Sequence, residues 1–142
     1  MKTVPRPLWF VLVAVLALLW NLFGLFSFYV HVTAGPEVIA SWPEAQRQIE
    51  AVPPRWIFVP FAVATIGGVL GSLGLLLGRR WAVPVLLLSL LAILVQFGSI
   101  YAITPTWALT GIGGAILPLC IGLFGLFLWW YAGKAASRGW LR

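Results

Sequence analysis

Four stretches of this chain, Leu8–Val30, Trp56–Leu77, Trp81–Ile103 and Trp107–Tyr131, contain no Asp, Glu, Lys or Arg. About 20 apolar residues, each rising roughly 1.5 Å along a helix, cross a hydrocarbon layer of about 30 Å. Each stretch is therefore long enough to span a bilayer. Each is expected to be helical, because lipid offers a backbone amide or carbonyl no outside partner. Composition points the same way: 62% of the 142 residues are hydrophobic and 8% are charged, against about 45–50% and roughly 25% in soluble domains. These numbers argue against a water-soluble globule, a disordered chain or a nucleic-acid binder.

The few charges set an orientation. Lys2 and Arg6 precede the first stretch, Arg79 and Arg80 separate the second from the third, and Lys134, Arg138 and Arg142 follow the fourth. No acid accompanies them. The opposite side carries Glu37, Glu44, Glu50, Arg47 and Arg55. Basic residues accumulate on the cytoplasmic side, so both termini are expected there. The net charge of +6 then reports topology, with anionic lipid as the expected partner of Arg79, Arg80, Lys134 and Arg138. The first apolar run is too long for the 7–15 residues of a signal-peptide core, so it is expected to stay as a helix. Trp9, Trp56, Trp81, Trp107, Trp129, Trp130 and Tyr131 fall at the ends of the stretches, where amphipathic rings favour the membrane interface.

The links Gly78-Arg79-Arg80 and Thr104-Pro105-Thr106 are short, which makes helices two, three and four antiparallel neighbours. The long link, 32–55, is different. Ser41 followed by Glu44 fits a capping box. Trp42, Ala45, Ile49 and Val52 recur at three- and four-residue spacing, and Pro53-Pro54 ends the pattern. A short amphipathic helix over about 42–52 is expected. It would serve as a lid, a partner-docking element or an interfacial anchor; a solvated loop with accidental periodicity is the alternative.

No stretch holds an ionisable carboxylate or base except His31 at the end of the first. Coupled transporters keep such groups near the midplane, and hydrolases need a base beside the nucleophile. One His and the lone Cys120 are too few for a metal set, and Cys120 has no partner for an intrachain disulfide. Neither catalysis nor a cofactor is expected. The polar candidates are Asn21, Thr65, Gln96 and Ser99. Asn21 and Gln96 lie at similar depth, and three roles stay open: bonding each other or a carbonyl inside the bundle, lining a small cavity for a neutral solute, or meeting a partner chain.

Gly67, Gly71, Gly74 and Gly78 form a face of small residues. It lets another helix approach closely, either of this chain or of a second subunit. Pro118 cannot donate to the carbonyl of Gly114, so a kink is expected there.

The runs Trp20-Asn21-Leu22-Phe23-Gly24, Trp42-Pro43-Glu44-Ala45-Gln46-Arg47, 61–81 and 90–97, with the ending Arg138-Gly139-Trp140-Leu141-Arg142, resemble those of small bacterial four-helix integral membrane proteins. Those proteins commonly carry a sugar-transporter label. The resemblance implies a bacterial inner membrane and a sugar-like substrate. The residues themselves lead to an all-α membrane protein. It would be an antiparallel four-helix transmembrane bundle with a short extracytoplasmic helix between helices one and two. Its expected role is non-catalytic, as an accessory or scaffolding subunit or a homo-oligomer. The alternative is a small neutral-solute carrier or oligomeric channel.

Overall fold

A computed structural model describes residues 5–142; Lys2, part of the charge bias, lies outside them. The order is α1 (Leu8–Thr33), α2 (Pro36–Ala40), α3 (Glu44–Ala51), a 3-10 turn (Arg55–Ile57), α4 (Phe58–Leu76), α5 (Ala82–Ile103) and α6 (Thr106–Ser137). There is no strand among the described residues. Four helices, namely α1, α4 with its leading turn, α5 and α6, are long and apolar enough to cross a membrane, the mark of an integral membrane protein. The last is longer than its uncharged stretch: α6 runs for 32 residues and carries Lys134 in its final turn.

Helix contacts follow a seven-residue rhythm of small and aromatic side chains. Along α1, Phe10, Ala14, Ala17, Asn21, Gly24, Phe28 and His31 alternate steps of four and three, which keeps them on one stripe. Phe10, Ala14 and Ala17 are buried. Farther on, Asn21 lies against Gly68, Gly24 against Thr65, and the Phe28 ring 5.3 Å from that of Phe61. The matching stripe on α4 is Phe61, Thr65, Gly68, Ser72 and Leu75. A second face of α4 meets α5. A methyl group added at Gly71 would stand 2.4 Å from Leu86 Cδ2, and one at Gly67 3.2 Å from Ser89 Cβ. Gly74 lies equally close to Trp81 and Ala82. These glycines therefore pack within the chain, where close approach replaces the hydrophobic drive that lipid removes.

The long link departs from its sequence reading. Two short helices stand where one was expected, and the capping box does not form. Ser41 Oγ donates instead to Val38 O, 2.5 Å away, closing α2. The helix starts later, with Pro43 as N-cap and no side-chain cap. The residue before a proline is biased away from the helical region, which disfavours a helix that starts at Ser41 and runs through Trp42 into Pro43. Glu44, freed from capping, accepts from Arg47 Nη2 at 2.5 Å and Gln48 Nε2 at 3.0 Å.

The bend in α6 is also displaced. Pro118 stays inside the helix, while the backbone leaves the helical region at Gly111 (φ 59°, ψ −152°). A proline already has a helical φ and here gives up one hydrogen bond to a glycine carbonyl. Gly111 reaches a region that only glycine visits cheaply.

Candidate functional site

At one end of the bundle, α4 and α6 stop in the same way. Each is followed by a left-handed glycine, Gly78 (φ 71°) and Gly139 (φ 79°). Behind α4, Gly78 N–H donates to Leu75 O at 3.0 Å and Arg79 N–H to Gly74 O at 2.8 Å. Behind α6, Gly139 N–H donates to Ala136 O at 3.2 Å and Trp140 N–H to Ala135 O at 3.0 Å. Both are the paired bonds of a Schellman ending. The two endings then join: Arg80 N–H donates to Arg142 O at 2.7 Å and Arg142 N–H to Gly78 O at 2.8 Å. Arg6 completes the clasp, its Nη1 donating to Leu75 O at 3.2 Å and Leu76 O at 2.7 Å. A guanidinium suits these carbonyls, where the helix dipole is negative.

Aromatic rings fill the space behind this clasp. Phe10 stacks on Tyr131 at 5.6 Å, and Trp9 meets Trp140 edge-on at 5.4 Å. Arg138 lies 5.3 Å from the Trp140 ring and Lys134 5.9 Å from that of Trp130. Such cation–ring contacts hold the positive heads beside the rings. Arg79 and Arg80 are exposed on the joining turn. With Arg6 and Arg142, six cations thus gather at an end to which the sequence brings no glutamate, since Glu37, Glu44 and Glu50 all lie in the long link.

The expected polar set does not converge. Asn21 Nδ2 donates to Ala17 O at 2.8 Å and to Ser72 Oγ at 3.1 Å. Its partner across the interface is therefore Ser72 of α4, not Gln96. Gln96 is buried and its Oε1 has no hydrogen-bond partner. Thr65 Oγ1 turns back onto its own helix, donating to Phe61 O at 2.9 Å. Ser99 is half-buried on α5. A cavity of about 30 Å³ does open between α1, α4, α5 and α6, lined by Asn21, Ser89, Trp20 and Phe124 among others. Thr65, Gln96 and Ser99 are not on its wall. The cavity has room for a few water molecules. Ser72 and Ser89 are the polar residues that the sequence reading missed. Ser89 Oγ donates to Ala64 O at 2.6 Å. The signal was available: Ser72 stands between Gly71 and Gly74 on the face already marked for close approach.

The other end is arranged around His31. Its Nδ1 lies 2.7 Å from Ser27 O and its Nε2 lies 3.5 Å from Glu50 Oε1 of α3. The rings of Trp42 and Phe61 flank it at 5.2 and 5.7 Å. Burial pushes the Glu50 carboxyl above the usual carboxylate value, and the His31 charge works in the opposite direction. Thr104 and Thr106 bond to each other through their hydroxyls at the α5–α6 turn. Tyr101 Oη and Arg47 Nε, both buried, lack partners. Among the described residues, no three His, Cys, Asp or Glu side chains come together as a metal set. The chain matches no protein-family model, no curated protein and no solved structure.

Proposed function

We propose that this chain is a non-catalytic, antiparallel four-helix bundle of a bacterial inner membrane, with both termini cytoplasmic, that acts through helix–helix contacts. In this reading it is an accessory or scaffolding subunit or a homo-oligomer, and α6 is the helix that meets the partner. The observation that carries it is the uneven cover of the spans. Within its most apolar 18-residue window α6 is 6% buried, against 39% for the α4 span. Gly125 lies against Ile93 of α5 and Ala132 and Ala135 are buried in the core, but Gly111, Gly113, Gly122 and Gly133 face open space. The glycines of α4 are instead consumed by α1 and α5. A helix with unfilled close-approach positions in lipid gains dispersion contacts when another helix fills them.

Four cations of the clasp end, Arg79, Arg80, Lys134 and Arg138, would meet anionic lipid headgroups, which draw basic clusters at the cytoplasmic leaflet. Their separation from all three glutamates supports this partner.

Cysteine scanning along α6 tests the proposal. Cys120 is the sole cysteine and is exposed, so a Cys120→Ala background can carry single cysteines at Ile112, Ile116, Leu119 and Leu123. Oxidation in native membranes is expected to give crosslinks to a second copy or to another subunit at a helical subset of these positions. Absence of any crosslink, with the protein monomeric in a bilayer, would sink the reading.

A further inference from the structure

The contact between α1 and α3 has a protonation requirement that the proposed helix-docking role does not use. A carbonyl oxygen only accepts hydrogen bonds, so the 2.7 Å contact of His31 Nδ1 with Ser27 O places a proton on Nδ1. In a neutral ring the second nitrogen is then a lone pair. That nitrogen, Nε2, faces Glu50 Oε1 at 3.5 Å. A lone pair opposite an ionised carboxylate repels it. The contact attracts only when one further proton is present, either on Nε2 as imidazolium or on the Glu50 carboxyl.

We propose that His31 and Glu50 share one proton across the gap between α1 and α3, and that losing this proton releases α3 from the end of the bundle. The rings enclose the histidine half of the pair, while Glu50 keeps 36% of its side-chain surface exposed. Trp42 and Phe61 bracket the imidazole, and His31 keeps 20% of its side-chain surface exposed, which leaves a route for the proton. The remaining charged groups of α3, Glu44 and Arg47, bind each other at 2.5 Å. Glu37 and Arg55 are exposed on the link. From α1 the nearest other titratable group in sequence is Tyr29, which is exposed. α4 carries no titratable side chain, α5 brings only Tyr101 to this end, and α6 brings none.

Covering the Glu50 carboxyl raises its proton affinity in the docked state. A group that binds its proton more tightly when docked favours docking at low pH, and that preference disappears as pH rises through the docked-state value. Docking of α3 is therefore present in acid and weakens in alkali. Release uncovers Trp42, whose ring lies 5.2 Å from that of His31.

The test uses the full chain in lipid nanodiscs, in a Cys120→Ala background, with spin labels at Gln48→Cys on α3 and Ile66→Cys on α4. As the pH is raised from about 5 to about 9, the short-distance population is expected to give way to a longer one. The docked-to-released ratio should fall severalfold as the pH rises, because the docked state holds the shared proton more tightly. Glu50→Gln supplies a permanent N–H donor to Nε2 and should hold α3 docked at every pH. Glu50→Ala should leave it released at every pH. Because the chain has a single histidine, nitrogen NMR of labelled histidine reads the Nε2 proton directly, and its loss should coincide with the distance change. A distance distribution that stays constant with pH, or a Glu50→Gln chain that keeps the native pH dependence, overturns the proposal.

Discussion

The two ends of the bundle face the same physical problem and meet it differently. Each must satisfy the backbone groups that a helix leaves free at its terminus. The clasp end does so mainly with backbone: two left-handed glycines, two Schellman turns and a reciprocal pair of bonds between 78–80 and 142. Arg6 covers the last carbonyls of α4, and behind it one buried hydroxyl, that of Tyr131, is left without a partner. The loop end relies on side chains. It leaves Gln96 Oε1, Tyr101 Oη and Arg47 Nε unpaired, and its α6 segment breaks at Gly111. Backbone pairing needs no titratable group, so the bonds between 78–80 and 142 do not depend on a proton. A contact made through His31 and Glu50 depends on a proton. Rigidity and responsiveness are thus assigned to opposite ends of one small bundle.

The strongest way to break this comparison is to put the same residue at two glycines of like φ. Gly78 and Gly111 have φ of 71° and 59°. A valine at either position is strained by roughly 1–3 kcal/mol where the backbone cannot move. At Gly78 it cannot move: the new Cβ would lie 3.4 Å from Arg6 Nη1 and 3.5 Å from Trp140 O, in the centre of the clasp. Gly78→Val should therefore cost about 2–3 kcal/mol in detergent-titration unfolding. Gly111 has open space around it. There Gly111→Val should allow α6 to rewind into a continuous helix, at a cost well below the Gly78 value. Equal losses would mean that the two ends are equally constrained.

How much of this was legible in the sequence follows the same division. The spans were legible because uncharged length is a direct reading of bilayer thickness. Gly67, Gly71 and Gly74 were legible as a close-approach face, since absence of a side chain is visible without knowing the neighbour. The neighbour was not: nothing in the residues says that Gly71 meets Leu86 or that Asn21 meets Ser72. Partner choice depends on register between helices distant in sequence, and amides, serines and carbonyls all satisfy an amide. The misplaced kink has a similar origin. Pro118 is the conspicuous breaker, but its φ already suits a helix. Gly111 lies at a bend where Thr110 and Gly114, on either side of it, come close enough that a methyl group at Gly114 would overlap the Thr110 side chain. At the long link, Ser41 and Glu44 matched a capping pattern whose middle positions include Pro43, and the restriction it places on Trp42 outweighed the cap.

A change of opposite sign sharpens the comparison at the loop end. Gln96 is 7% exposed and its Oε1 is unpaired, so the native chain bears a desolvation cost there. Gln96→Leu removes the polar atoms and keeps most of the volume. It should stabilise the protein by about 1 kcal/mol in the same unfolding titration, the low end of the range for a buried group without its partner. Destabilisation would show that Gln96 has a partner in the membrane, such as another subunit, and would move the contact surface from α6 towards α5.

The smallest expected effect lies between the two ends, at the Asn21–Ser72 bond. Interhelical polar bonds within membranes average about 0.6 kcal/mol and reach roughly 1.7. The value here should sit near the average, because Asn21 Nδ2 also donates to Ala17 O of its own helix and keeps that bond when Ser72 is removed. The isolating measurement is a double-mutant cycle with Asn21→Leu, Ser72→Ala and both together, which cancels the packing changes that each single substitution brings. A coupling of about 0.6 kcal/mol places the pair as ordinary helix glue. Gly68 makes the cycle sensitive to position as well, since a methyl group there would stand 2.0 Å from Asn21 Oδ1. Gly68→Ala should therefore abolish the coupling by turning the amide away from Ser72, while leaving Gly78 and the clasp unaffected.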